Sequence, residues 1–403
     1  MSDPALAAPE AVTRGGSRRT PSWVLGVGPL VLLALAVALF LRAGPVGVFT
    51  QAFPPVEELT IERVALPEPG LLEISVVNGG PEAVTIAQVF VDDASWVHSV
   101  GGDRTVGRLE RRKIRVPYPW VEGEPHTVTL ITSTGLTFSE TIAVAVETPR
   151  ADARYLSTFA LLGTYAGVIP VLLGLLWLPF LRRLDRRWLD FFLALTVGLL
   201  IFLGVDALAE AFDTSGRVAG AFQGTGLILL GLVGTPLVLA ALGSYRKESG
   251  VGRTPLYVAT LVAVAIGLHN LGEGLAIGSS YATGEIALGT FLVVGFLIHN
   301  TTEGLGIVAP LGSERPGLGR LLALGAIAGV PTVIGAWIGG FSSSPLWTTL
   351  FFAIGAGAIV QVVFELGRLL VRGSGGRALS PLNAAGVLAG LLIMYATGII
   401  VGG

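Results

Sequence analysis

The chain has 403 residues, 52 % hydrophobic and only 13 % charged, with a mean hydropathy of +0.73 and a formal net charge of −2. Soluble domains carry about 25 % charged residues, so an ordinary soluble protein is excluded, and the small net charge gives no support to a nucleic-acid partner. Cysteine is absent, which removes disulfides, thiolate metal ligands and covalent haem or cluster attachment.

Residues 1–21 are rich in Ala, Pro, Ser, Gly and Arg and read as a disordered cytoplasmic tail. Trp23 to Leu41 is a continuous apolar run behind Arg14, Arg18 and Arg19. It is long for the core of a cleaved signal peptide, so residues 22–42 read as an anchor transmembrane helix. The character then changes from 45 to 150. Period-2 alternation predicts strands at 72–77, 84–91, 113–116 and 127–131, separated by turn segments such as Asn78-Gly79-Gly80 and Gly101-Gly102-Asp103. Short strands at this spacing point to a small all-β domain, an immunoglobulin-like sandwich placed outside the cell. His98 and His126 stand alone in it and read as surface or packing histidines. With no cluster of metal ligands, the domain is expected to stand apart from any transport path.

Beyond residue 150 the chain is dominated by apolar runs. No charged residue occurs in 155–181, in 218–245 or from 378 onward, and each run exceeds the roughly 20 residues that span a bilayer as a helix. Eight helices are predicted near 155–181, 189–212, 218–245, 254–281, 286–311, 319–341, 346–370 and 379–401. Lys and Arg crowd alternate connections, with twelve after the first, third, fifth and seventh helices and only Arg217 in the others. The positive-inside rule then puts the N-terminus of the chain in the cytoplasm, and the β-domain and the C-terminus outside, in a multi-pass protein of the plasma membrane.

A charge at the centre of a bilayer costs about 2.5–3.5 kcal/mol on insertion scales, so the few that remain in these helices need a purpose. Away from the helix ends near the cytoplasm, they are Asp206 and Glu210 in the second helix, Glu273 in the fourth, Glu303 in the fifth and Glu365 in the seventh. Two belong to a repeated pattern: His269-Asn270-Leu271-Gly272-Glu273-Gly274, and 30 residues later His299-Asn300-Thr301-Thr302-Glu303-Gly304. His and Glu four apart share one helix face, and Asn lies on its edge. Two such faces turned together present two imidazoles, two carboxylates and two amide oxygens, a set suited to a borderline divalent cation. Asp206 and Glu210, four apart, suggest a path toward that site. Glu365, one turn before the basic end of its helix, suits a salt bridge to Arg368 as well as a transport role. Gln223 reads as a helix-packing hydrogen bond.

These motifs resemble those of the ZIP (Zrt/Irt-like) family of divalent-metal transporters over about residues 155–403. The resemblance implies an eight-helix bundle and a metal site at mid-membrane, often binuclear, between the fourth and fifth helices. Its ligands would be His269, Asn270, Glu273, His299, Asn300 and Glu303. It also implies flux toward the cytoplasm and a homodimer. Leu271-Gly272 and Thr301-Thr302 stand where many members carry proline, and the connection at 245–253 lacks the histidine-rich stretch common in the family. The expected function is therefore transport of divalent metal ions, zinc foremost, with iron, manganese or cadmium also open. The metal is substrate, and neither an organic cofactor nor enzymatic activity is expected. Uptake should weaken in acid, because protons compete for His and Glu ligands. An intramembrane metal-dependent hydrolase and a receptor or adhesion protein acting through the β-domain are the alternatives.

Overall fold

The computed structural model describes residues 22–43, 56–248, 254–312, 314–341, 344–373 and 380–402. The tail expected at 1–21 lies outside the described residues. Helix α1 runs Ser22–Ala43, with Pro29 inside it and Leu30, Leu32, Leu35 and Leu39 exposed.

The β-domain has nine strands: β1 Leu59–Glu68, β2 Leu71–Asn78, β3 Val84–Val91, β4 Ala94–Trp96, β5 Ser99–Val100, β6 Thr105–Val106, β7 Arg111–Pro117, β8 His126–Thr132 and β9 Thr137–Ile142. One antiparallel sheet is ordered β1-β2-β7-β5 and the other β4-β3-β8-β9, with β6 paired to β3. This is the strand order of an immunoglobulin sandwich. Alternate residues of both sheets, among them Leu72, Ile74, Ile86, Val89, Ile114, Val128 and Leu130, meet in one core with essentially no exposure. The strands missed by sequence pattern are β1, β9 and the short β4–β6. β1 and β9 alternate poorly because they form sheet edges, half-exposed on both faces.

His126 does not stand alone. Its Nδ1 lies 2.7 Å from Asp92 Oδ2, which also accepts from the Tyr118 hydroxyl at 2.6 Å, and the Thr127 amide donates to Oδ1 at 2.8 Å. Partial burial alone would raise the Asp92 carboxyl, but these hydrogen bonds outweigh it and hold it below the usual range. Burial, then the bond to Asp92, pushes the Tyr118 hydroxyl up to about 12. The group ties the start of β8 to the β3–β4 turn, so His126 is a packing histidine with named partners.

Among the described residues, eight further helices are long and apolar enough to cross a membrane. They are α2 Ala153–Leu181, α3 Arg186–Ser215, α4 Gly224–Glu248, α5 Pro255–Ala282, α6 Ile286–Val308, α7 Leu318–Phe341, α8 Pro345–Gly373 and α9 Pro381–Gly402. This is the expected polytopic helical architecture with a small β-domain. Helix α4 starts six residues later than predicted. A 3₁₀ turn at Gly220–Phe222 and a left-handed Gln223 (φ 49°) precede it, so Gln223 is a turn residue and not a mid-helix hydrogen bond.

Glycine decides which helices meet. A Cβ at Gly274 would stand 2.1 Å from the Thr332 carbonyl oxygen of α7, and one at Gly278 would stand 2.2 Å from that of Ala336. From the other side, Gly335 and Gly339 of α7 press equally closely on Leu271 and Leu275 of α5. Helices α2 and α6 repeat the device, with Gly174 against Thr301 and Gly304 against Val171. Without a hydrophobic force between helices in lipid, such backbone-to-backbone approach is a principal source of attraction. The glycine that closes each repeated motif is thus a packing residue, aimed away from the partner motif.

Candidate metal centre

Each motif sits mid-helix, in α5 and α6, and each is oriented by a second helix. The Asn270 side-chain amide donates to the Ala328 carbonyl of α7 at 3.1 Å, beside Pro331. The Asn300 amide donates to the Ala166 carbonyl of α2 at 2.8 Å, within a π-helical turn spanning Thr164–Val168. Pro170, four residues after Ala166, has no N–H to offer that carbonyl in an α-helical pattern. A carbonyl must face the NH₂ group of each asparagine, so neither amide can be flipped, and both Oδ1 atoms turn the other way. Both Oδ1 atoms are buried with no hydrogen-bond partner.

Between the helices the four charged or basic side chains converge. One ligand atom from each of His269, Glu273, His299 and Glu303 falls within 4.8 Å of all the others. Glu273 Oε1 lies 3.4 Å from His269 Nε2 and 3.3 Å from His299 Nε2, and Glu303 Oε1 lies 3.4 Å from His299 Nε2. All four residues are at most 7 % exposed. The second oxygen of Glu273 accepts from Asn300 at 2.8 Å, which leaves Oε1 directed at the two imidazoles.

These spacings separate two meanings of the cluster. Charge-assisted hydrogen bonds between His and carboxylate run at about 2.7–2.9 Å, clearly shorter than the contacts found here. Tetrahedral ligands held about 2.0–2.1 Å from a zinc ion stand roughly 3.3 Å from one another. The three His–Glu contacts match the second geometry, and a modest contraction of the widest pair would complete it. Glu273 Oε1, both Glu303 oxygens and the Nε2 atoms of both histidines make no hydrogen bond, although all are buried. Buried polar atoms are normally satisfied, so five orphans grouped together form a set that could hold a cation. The threonines that stand in the second motif turn inward on their own helix: Thr301 donates to Leu297 and Thr302 to His299.

The weaker candidates divide. Asp206 and Glu210 line a cavity of about 860 Å³ that reaches His269 and Glu273. Glu365 is not in its wall; it is 3 % exposed, and Arg368 Nη1 lies 3.9 Å from its Oε2. The β-domain, expected to stand apart, supplies part of the same wall through β1 and β9. Sequence reasoning also missed Glu285, just before α6, which lines the cavity. Its place at the same helical end as Asp206 and Glu210 was the available signal.

No family model matches the sequence. Over 145 residues the chain is 31 % identical to the zinc transporter ZIPB of Bordetella bronchiseptica, a stretch covering 32 % of this chain and 45 % of that protein. The chain thus spans just under half the length of this relative. With its paired His-Asn-x-x-Glu-Gly motifs, its eight apolar helices and this match, the chain resembles the ZIP metal transporters.

Proposed function

We propose that the chain carries divalent metal ions across a membrane toward the cytoplasm, with zinc as the principal substrate, through a site formed by His269, Asn270, Glu273, His299, Asn300 and Glu303. The observation that carries this reading is the buried, unpaired donor set of α5 and α6, spaced like the shared ligands of one ion. Two carboxylates and two imidazoles match zinc better than calcium or magnesium, which take oxygen ligands alone. The name of the Bordetella relative favours the same metal. A hydrated cation would pass Asp206 and Glu210, exchange water for protein ligands, and leave when the bundle opens to the other side. The basic connections support a cytoplasmic N-terminus with the β-domain outside, in the plasma membrane. A homodimer belongs to this reading through the family resemblance. Among the eight membrane-length helices described, α4 offers the barest apolar face for it, with Leu229, Leu230, Val233, Leu237 and Val238 exposed.

The test is uptake of radioactive zinc by proteoliposomes, together with the metal content of the purified protein. Glu273→Gln and Glu303→Gln each remove one negative charge with little change of shape, so the fold should survive while uptake falls at least about tenfold. If both variants bind and carry zinc at the parental rate, the site lies elsewhere.

A further inference from the structure

The cavity that reaches His269 and Glu273 is not walled by helices alone. Strands β1 and β9, and the segment leading from β9 toward α2, close one side of it, so that Glu62 and Glu140 share a space with Asp206, Glu210 and Glu285. Three contacts hold the β-domain there. The Gly220 amide in the α3–α4 connection donates to Glu58 Oε1 at 2.6 Å. Arg63 donates to the Phe341 carbonyl at the end of α7 at 2.9 Å. Gly284, between α5 and α6, packs so closely on Val144 and Val146 that a Cβ would stand 2.9–3.0 Å from them. All three fall at one end of the bundle, the end whose connections contain a single basic residue, Arg217.

The charges of this space are lopsided. Five carboxylates from two domains line it above the buried Glu273, against two guanidinium groups, Arg63 and Arg217. Arg63 keeps its charge while donating to the Phe341 carbonyl, and Arg111 pairs with Glu62 through hydrogen bonds of 2.8 and 2.9 Å, so the acidic excess rests on Glu140, Asp206, Glu210 and Glu285. At its floor, His269 is 2 % exposed and Glu273 3 %, and His269 Nε2 and Glu273 Oε1 make no hydrogen bond. A low-dielectric pocket lined by one sign of charge focuses its field and concentrates counter-ions.

Resting on the transport reading, we infer that the β-domain is one wall of a cation vestibule shared with the helices. Hydrated divalent cations reach His269 and Glu273 through it, and the domain sets how well dilute cations are captured. The domain is then part of the transport path and not an appendage to it.

The absence of cysteine allows a direct test on the full chain. Ala143 is exposed, small and in the vestibule wall; Ser95 is exposed on β4, away from it. Ala143→Cys and Ser95→Cys variants are labelled to completion with a cationic methanethiosulfonate, reconstituted, and assayed for zinc uptake over a range of zinc concentrations. Labelling at position 143 should raise the KM for zinc by about tenfold, more at low salt, with the maximal rate little changed. A neutral reagent of similar size should do less, and labelling at position 95 should do nothing. Parental kinetics after complete labelling at 143 would overturn the vestibule, as would a loss confined to maximal rate, which marks hindered movement and not capture. Absence of zinc flux through the unlabelled parental chain would overturn the transport reading itself.

Discussion

Replacing Asn300 with Ala removes one NH₂ group that serves two helices at once. Its hydrogen bonds to Ala166 and to Glu273 are both 2.8 Å long and buried. Interhelical hydrogen bonds in membrane proteins average only about 0.6 kcal/mol each, so the bonds alone would predict a loss near 1 kcal/mol. The geometry argues for more. The Ala166 carbonyl loses its side-chain donor where Pro170 offers none, and Glu273 Oε2 loses its donor beside two imidazoles. An unsatisfied buried acceptor costs about 1–3 kcal/mol, so Asn300→Ala should lower stability by roughly 2–6 kcal/mol. That corresponds to a fall of at least about 2 °C in the melting temperature of the detergent-purified protein. With Glu273 no longer oriented, zinc affinity measured by equilibrium dialysis should weaken about 10- to 100-fold. Zinc should also raise the variant's melting temperature less than the parent's, since binding stabilises only the folded form. A variant that melts with the parent and binds zinc equally well would show that Asn300 neither satisfies α2 nor orients Glu273.

Gly274→Ala and Gly304→Ala would each place a Cβ within 2.1–2.3 Å of a carbonyl oxygen on the facing helix. Both should destabilise the bundle by about 1–3 kcal/mol or more, read as a lower melting temperature, whereas Gly234→Ala, with open space around it, should not. In the β-domain, Asp92→Asn should speed hydrogen exchange at the Thr127 amide near neutral pH. The native carboxyl is held below its unfolded value, so its contribution is complete above about pH 3.9 and disappears as pH falls through the lower folded value. The difference between parent and variant should therefore shrink in acid; a difference that stays constant down to pH 2 would refute the assignment. Spectrophotometric titration should find one of the seven tyrosines ionising near 12, and Asp92→Asn should lower it only part of the way, because the burial that contributes most remains.

The sequence alone determined the parts whose signal is local or repeated. Eight spans were legible because crossing lipid demands some twenty apolar residues in a row, a demand that leaves no room for compensation elsewhere. The convergence of His269, Glu273, His299 and Glu303 was legible because His and Glu four apart share a helix face wherever the helix goes, and because the pattern occurs twice. The central strands of the sandwich alternated cleanly, since one face of each is sealed in the core. What only the tertiary structure decided was everything set by a partner distant in the chain. Nothing in the motif states that its asparagines are held by α2 and α7, that Glu273 leans on both histidines, or that its closing glycines pack outward against other backbones. The edge strands β1 and β9 were faint in the sequence for a related reason: both faces are partly exposed, so no alternation is enforced. Those same two strands close the cavity that reaches His269 and Glu273, a juxtaposition created by Glu58, Arg63 and Gly284 meeting chain 138 to 278 residues away. Contacts of that kind leave no periodic trace, because the residues on each side satisfy their own local structure equally well with or without them.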